Sequence, residues 1–161
     1  MAIIRNSLIF AGLLWLTACQ NHVVFESTKV IGLEGWHKDS VVRMNFVPKD
    51  TATAYQIFFL VRNDNEYPYS NLFLIATLEN GKQKIIDTLE YEMADAKGNW
   101  LGSGIWDLKE SKLIYKNDYR PQDTLPVQIS VRQAVRKTGQ IPGDEYLPGI
   151  KTIGIIIEKA N

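Results

Sequence analysis

The chain has 161 residues, 45% hydrophobic and 22% charged, with 11 Gly, 6 Pro and 11% aromatic residues, which fits one globular domain and excludes a disordered or fibrous chain. Its 18 Lys and Arg against 18 Asp and Glu leave no basic footprint for a polyanion, arguing against nucleic acid as a partner and against purely electrostatic membrane binding. A single cysteine rules out an intrachain disulfide and a cysteine-based zinc cluster.

The chain opens MAIIRNSLIFAGLLWLTACQ: one basic residue, Arg5, a nine-residue charge-free run from Leu8 to Leu16, and small residues just before Cys19. This is the layout of a secretory signal peptide, and the apolar run is too short for a bilayer, which needs about 20 residues. Leu16-Thr17-Ala18-Cys19 resembles the lipobox of bacterial lipoproteins. That resemblance implies that residues 1–18 are a cleaved lipoprotein signal peptide and that Cys19, the lipid attachment residue, carries a diacylglycerol and an N-acyl chain inserted into membrane lipid. Two or three chains hold stably where one is marginal, at about 0.8 kcal/mol per buried methylene. The other readings are a soluble exported protein with Cys19 at its cleavage site by coincidence, or an uncleaved buried segment. Cleavage removes Arg5 and no acid, leaving 17 basic and 18 acidic residues, a formal balance of −1. Gln20 stands where, in the enterobacterial sorting rule, Asp would retain a lipoprotein in the inner membrane, so the resemblance favours the outer membrane and leaves both its periplasmic and its surface side open.

Residues 19–31 read as the lipidated N-terminus with a tether or first strand, and residues 32–161 as a single domain in which period-two alternation is frequent and helical periodicity almost absent. In Ser40 to Val47, Val42, Met44 and Phe46 share one face. Ala54 to Arg62 sets Tyr55, Ile57, Phe59 and Val61 together with Phe58 and Leu60 opposite, which predicts a central strand buried on both faces. Asn71 to Leu78 is followed by Glu79-Asn80-Gly81-Lys82, where Asn-Gly predicts a type I′ hairpin turn returning as Gln83 to Met93. Asp95 to Gly98 reads as a turn, Leu113 to Tyr119 as a short strand, and Pro121 to Pro126 as a break. From Leu125 the alternation is the cleanest in the chain, with Val127, Ile129 and Val131 inward. Lys137 to Gly149 reads as a long loop, and Ile150 to Lys159 as a last strand with Ile153, Ile155 and Ile157 on one side. The expected fold is all-β, an antiparallel β-sandwich of about eight strands, jelly-roll or immunoglobulin-like.

Patterns that carry catalysis are missing from the sequence. His22 and His37 are the only histidines and belong to no metal-ligand spacing. Gly102-Ser103-Gly104 lacks the strand and helix of a nucleophile elbow and reads as a turn. Asn63-Asp64-Asn65-Glu66 is oxygen-rich, of a kind that can bind Ca²⁺, yet it lacks the spaced carboxylates and the glycine of an EF-hand loop and reads first as a solvated loop. Glu90 and Glu92 share one strand face instead of flanking a bond, as glycoside hydrolysis requires. The expectation is a non-enzyme without catalytic residues, metal or diffusible cofactor.

The candidate contact residues are aromatic and amide groups near expected loops: Trp36, Tyr67, Tyr69, Asn71, Trp100 and Trp106. They are weighed both as packing residues and as a platform for a partner protein or a stacked glycan. Pro68 fixes φ and biases Tyr67 toward extended geometry, so Tyr67 to Asn71 reads as a stiff corner that seats the next strand or presents its side chains.

RNDNEYPYSNLFL (Arg62 to Leu74), Trp36-His37-Lys38-Asp39, DTLEYEMADAKGNWLGSG (Asp87 to Gly104), Gln133-Ala134-Val135-Arg136 and LPGIKTIGIIIEK (Leu147 to Lys159) occur in one order across nearly the whole mature chain. In that order they resemble the GldH family of gliding-motility lipoproteins of Bacteroidetes, in agreement with the lipobox. The resemblance implies a cell-envelope lipoprotein needed for gliding and linked to the type IX secretion machinery, with other gliding or secretion envelope proteins as partners and no enzymatic activity. The alternative is a glycan-binding β-sandwich module of the cell envelope.

Overall fold

In the computed structural model, residues 22–135 and 144–160 are described. The leader 1–18, Cys19 and the start of the tether lie outside them, as does the 137–143 part of the expected loop. The described residues form ten strands: β1 (Val23–Val30), β2 (Trp36–His37), β3 (Val42–Phe46), β4 (Tyr55–Asn63), β5 (Asn71–Asn80), β6 (Gln83–Glu92), β7 (Lys109–Tyr119), β8 (Val127–Gln133), β9 (Tyr146–Leu147) and β10 (Ile150–Lys159).

The pairing follows one rule. β1 pairs with β10, β2 with β9, β3 with β8, β4 with β7 and β5 with β6, all antiparallel. The chain is one long hairpin with its tip at Gly81-Lys82, and rolling it up adds the contacts of β10 with β4 and β8 with β5. Two four-stranded sheets result, β1-β10-β4-β7 and β3-β8-β5-β6. With the two short strands set aside, this is the order of a jelly roll. The all-β sandwich expected from the alternation is thus present, in its jelly-roll form.

Alternation places the core. Tyr55, Ile57, Phe59 and Val61 of β4 and Ile153, Ile155 and Ile157 of β10 face Met44, Phe46, Leu72, Leu74, Ala76, Leu78, Val127, Ile129 and Val131 of the other sheet, all buried. Each large aliphatic or aromatic residue so buried contributes about 1.5–3 kcal/mol. β4 lies between β10 and β7, as its two apolar faces predict, and Leu60 on its outer face is also buried. Aromatic packing closes one side of the sandwich, with the Phe25 and Phe46 rings 5.8 Å apart between β1 and β3. Polar contacts close the other: Tyr91 donates its hydroxyl to the Ile114 carbonyl at 2.8 Å, and Asp87 accepts from Lys116 Nζ at 2.8 Å and Tyr115 at 3.1 Å.

Three details differ from expectation. The tip is one residue out of frame: Asn80 pairs with Gln83, so Gly81 and Lys82 form the two-residue loop, and of these Gly81 alone has positive φ, at 56°. This is the requirement of a type II′ turn, not I′. Asn80 is freed from the turn and buried. β7 begins four residues before the expected Leu113, because Lys109 to Lys112 pair with Leu60 to Asn63. β1 is the first strand of the sandwich. The expected loop up to Gly149 is interrupted by β9, which holds Trp36 and His37 through Leu147 and Tyr146.

The two ends of the sandwich are distinct. His22 accepts from the Lys159 amide and Ala54 from the Ala160 amide, so the start of β1, the end of β10 and the start of β4 share one end, here called the near end. Val30, Asn63 and Ile150 close the opposite, far end, with the β4–β5 loop and the segment leading into β7.

Candidate functional site

Three segments meet at the far end: the β4–β5 loop, residues 93–108 between β6 and β7, and the approach to β10. Tyr67 anchors the first. Its ring is buried, Pro68 follows it, and its hydroxyl donates to the Asn71 carbonyl at 2.7 Å, tying the corner to the start of β5. Gly149 seats directly on the Tyr67 backbone: at φ +80° a Cβ there would lie 2.0 Å from the Tyr67 nitrogen. The Asp64 amide donates to the Gly149 carbonyl at 2.9 Å, and Lys151 Nζ reaches Asp64 at 2.7 Å and Glu66 at 2.8 Å. The carboxylates of the oxygen-rich stretch are thereby engaged by a lysine.

Tyr69 stacks edge-on against Tyr67 at 5.9 Å and donates to the Asp144 carboxylate. Burial, and next the hydrogen bond to Asp144, push the Tyr69 phenol up to about 12. Burial raises the Tyr67 phenol further. Trp100 packs on Tyr67 at 6.1 Å, half-buried, and its indole donates to Asn65 Oδ1 at 2.9 Å. Asn65 Nδ2 in turn donates to Asp107 at 2.8 Å. The turn before Trp100 is built on Asp95, which accepts from the Lys97 and Asn99 amides and from Asn99 Nδ2. The Asn99 bonds first, then those from the Lys97 and Gly98 backbone, hold its carboxyl below the ordinary carboxylate value.

Beyond Trp100 the chain makes an exposed finger. The Ser103 and Glu110 backbones exchange hydrogen bonds of 2.9 and 2.7 Å, closing Gly104 to Lys109 as a loop. Gly102-Ser103-Gly104, read from sequence as a turn, instead forms the bridge to Glu110 at its base, where a Cβ on Gly104 would collide with the Leu108 carbonyl, and the turn falls at Trp106-Asp107. At its tip, Ile105 and Trp106 stand free, Trp106 with 89% of its surface exposed. Trp106 has φ +58°, the sole positive φ outside glycine among the described residues. For a bulky side chain that conformation is strained, and strain of this kind clusters at functional surfaces.

The six candidates therefore separate. Tyr67, Tyr69 and Trp100 form one braced cluster. Asn71 lies at its border and donates to the exposed Glu90 at 2.5 Å. Trp36 is buried, its indole donating to the Ser40 carbonyl at 2.9 Å, and it packs in the core instead of facing a partner. Trp106 alone offers an open ring. The aromatic platform expected for glycan stacking is not assembled on one surface.

Sequence reasoning missed the buried amides that order these loops. Gln133 Nε2 donates to the Asp144 carbonyl at 2.8 Å while its Oε1 accepts from the Val135 amide at 2.9 Å. Asn80 does the same at the near end. The signal for both is faint: an amide closing a strand on the inward phase of the alternation, where a hydrophobic residue is expected.

These features define a small jelly-roll sandwich domain with a braced aromatic cluster and an apolar finger at one end. The chain belongs to the GldH lipoprotein family, whose sequence profile matches residues 23–157. It is 44% identical to the gliding motility lipoprotein GldH of Flavobacterium johnsoniae over 160 residues, 97% of this chain and 98% of that protein. A gliding motility lipoprotein GldH homolog of Christiangramia forsetii is 40% identical over 146 residues, 90% of this chain and 89% of its own length. Among solved structures, the infectious bursal disease virus VP2 subviral particle is 17% identical with a TM-score of 0.33, and the match covers 85% of this chain but 30% of VP2, too remote to bear on function.

Proposed function

We propose that the protein is a lipid-anchored, non-catalytic component of the cell envelope, held by acyl chains on Cys19 at the outer membrane. There it supports gliding motility and the associated type IX secretion machinery as an assembly or scaffolding part. The observation that carries this reading is the likeness, 44% and 40% identity over most of both chains, to proteins named as gliding motility lipoproteins. The far-end polar groups support the non-catalytic part, since Asp64, Glu66, Asn65, Asp107 and Asp144 are engaged with neighbouring side chains or backbone. The test is complementation of a Flavobacterium johnsoniae strain lacking its own 44%-identical relative. The full chain is expected to restore colony spreading and to fractionate with the outer membrane. Cys19→Ser is expected to leave the membrane fraction and lose spreading. Failure of the full chain to restore spreading, or retention of Cys19→Ser in the membrane, overturns the reading.

A further inference from the structure

We infer that the far end of the sandwich, centred on the Ile105-Trp106 finger, is a docking surface for another envelope protein, presented away from the anchoring leaflet. The inference rests on the anchor at Cys19 proposed above. Three residue steps separate Cys19 from His22, a reach of roughly 10 Å at most, so the near end is held beside the lipid. The nine residues of β4 set the far end roughly 26 Å beyond it at about 3.3 Å per residue.

Exposed apolar surface is unequally shared between the two ends. The four most exposed large hydrophobic residues, Leu33 at 102%, Trp106 at 89%, Val30 at 85% and Ile105 at 78%, all lie at the far end. Val30 and Leu33 stand at the end of edge strand β1, and Ile105 and Trp106 stand before the opposite edge strand β7, so the finger is an apolar knob of its own. Exposed apolar side chains grouped at a tip mark an interaction site. The occupant is a protein and not lipid, because the short tether turns this end away from the leaflet. The chemistry presented is an aromatic knob on a closed loop. The Ser103–Glu110 backbone bonds, the close approach of Gly104 to the Leu108 carbonyl and the positive φ of Trp106 hold the ring outward before contact. A rigid exposed Trp suits the central anchor of a protein interface and calls for an apolar pocket on the partner.

The experiment uses the full lipidated chain in the complementing strain. Ile105→Ser with Trp106→Ser is expected to keep wild-type membrane levels and melting temperature, and to reduce spreading to that of the deletion strain. Val47→Ser with Leu125→Ser, exposed residues near the other end, is expected to spread normally. A photocrosslinking residue at position 106 is expected to give one adduct containing a different envelope protein, absent when the crosslinker is placed at 125. Normal spreading by the finger variant overturns the inference and leaves the proposed function standing, because the unmodified chain serves as its control. Equal loss in the Val47/Leu125 variant, an adduct with a second copy of the chain, or insertion of Trp106 into phosphatidylethanolamine vesicles seen as a fluorescence blue shift each overturns it as well.

Discussion

Asn80 Nδ2 lies 3.1 Å from Asp123 Oδ1, joining the tip of the long hairpin to the break between β7 and β8. The same nitrogen donates to the Leu125 carbonyl at 2.9 Å, while Asn80 Oδ1 accepts from the Gln122 and Asp123 amides at 2.8 and 3.2 Å. Both ends of the amide are used, which is how a polar side chain survives burial.

Asn80→Ala leaves those backbone groups without partners and is expected to cost about 2–3 kcal/mol, read from the urea midpoint of the domain without its leader. Asn80→Asp is expected to be at least as damaging, since it replaces two donors by an oxygen facing Asp123 and the Leu125 carbonyl. Gly81→Ala would push a Cβ to 2.0 Å from Asp123 Oδ2. Its cost is expected to be less than additive with Asn80→Ala, because both disturb Asp123.

At the far end, Gly149→Ala sets a Cβ against backbone that cannot retreat and is expected to cost about 3–4 kcal/mol. Tyr67→Phe removes the single hydrogen bond to the Asn71 carbonyl and is expected to cost about 1 kcal/mol. Thermal melting of the two variants distinguishes steric from polar bracing of the corner.

Five of the seven tyrosines are shifted upward from the ordinary phenol value of 10.0. Burial pushes Tyr69, Tyr91 and Tyr119 up to about 12, and Tyr67 and Tyr115 higher still. As pH rises, the unfolded chain therefore loses these protons first. Their contribution to stability is complete below about pH 10 and is lost as pH climbs through about 12 and beyond. Absorbance titration at 295 nm is expected to show these phenols ionising late in the folded domain and together near pH 10 in guanidinium.

β1 is the least buried of the eight long strands, with only Phe25 and Ser27 half-buried along its eight residues. Hydrogen exchange is expected to be faster in β1 than in β10, which lies between β1 and β4. Phe25→Ala, which removes the contact with Phe46, is expected to speed exchange roughly tenfold in β1 and little elsewhere.

How much of this was legible follows from how local each cause is. Val127, Ile129 and Val131 point inward because neighbouring residues on a strand must alternate, and that is visible in three residues of text. The two-faced apolar pattern of Ala54 to Arg62 carried the central place of β4 for the same reason. β1 was harder to read: Val23-Val24-Phe25-Glu26-Ser27 has β-branched and aromatic residues but no clean alternation, since one face is nearly bare. β2 and β9 have two residues each, too few for any period. Trp36, Tyr67 and Trp106 look alike in sequence, and only their surroundings separate a core ring from an exposed knob.

By itself the sequence determined a near-neutral all-β chain whose first residues have the pattern of a lipoprotein leader, because charge, spacing of apolar residues and the residues around Cys19 are properties of short stretches of chain. The tertiary structure decided the nested pairing, the release of Asn80 from the hairpin turn into a clamp on Asp123, and the division into a near end where His22, Ala54 and Lys159 meet and an apolar far end. Those depend on contacts between residues such as Asn80 and Asp123, 43 positions apart. No local pattern encodes which distant partner a buried amide or an aromatic ring will meet.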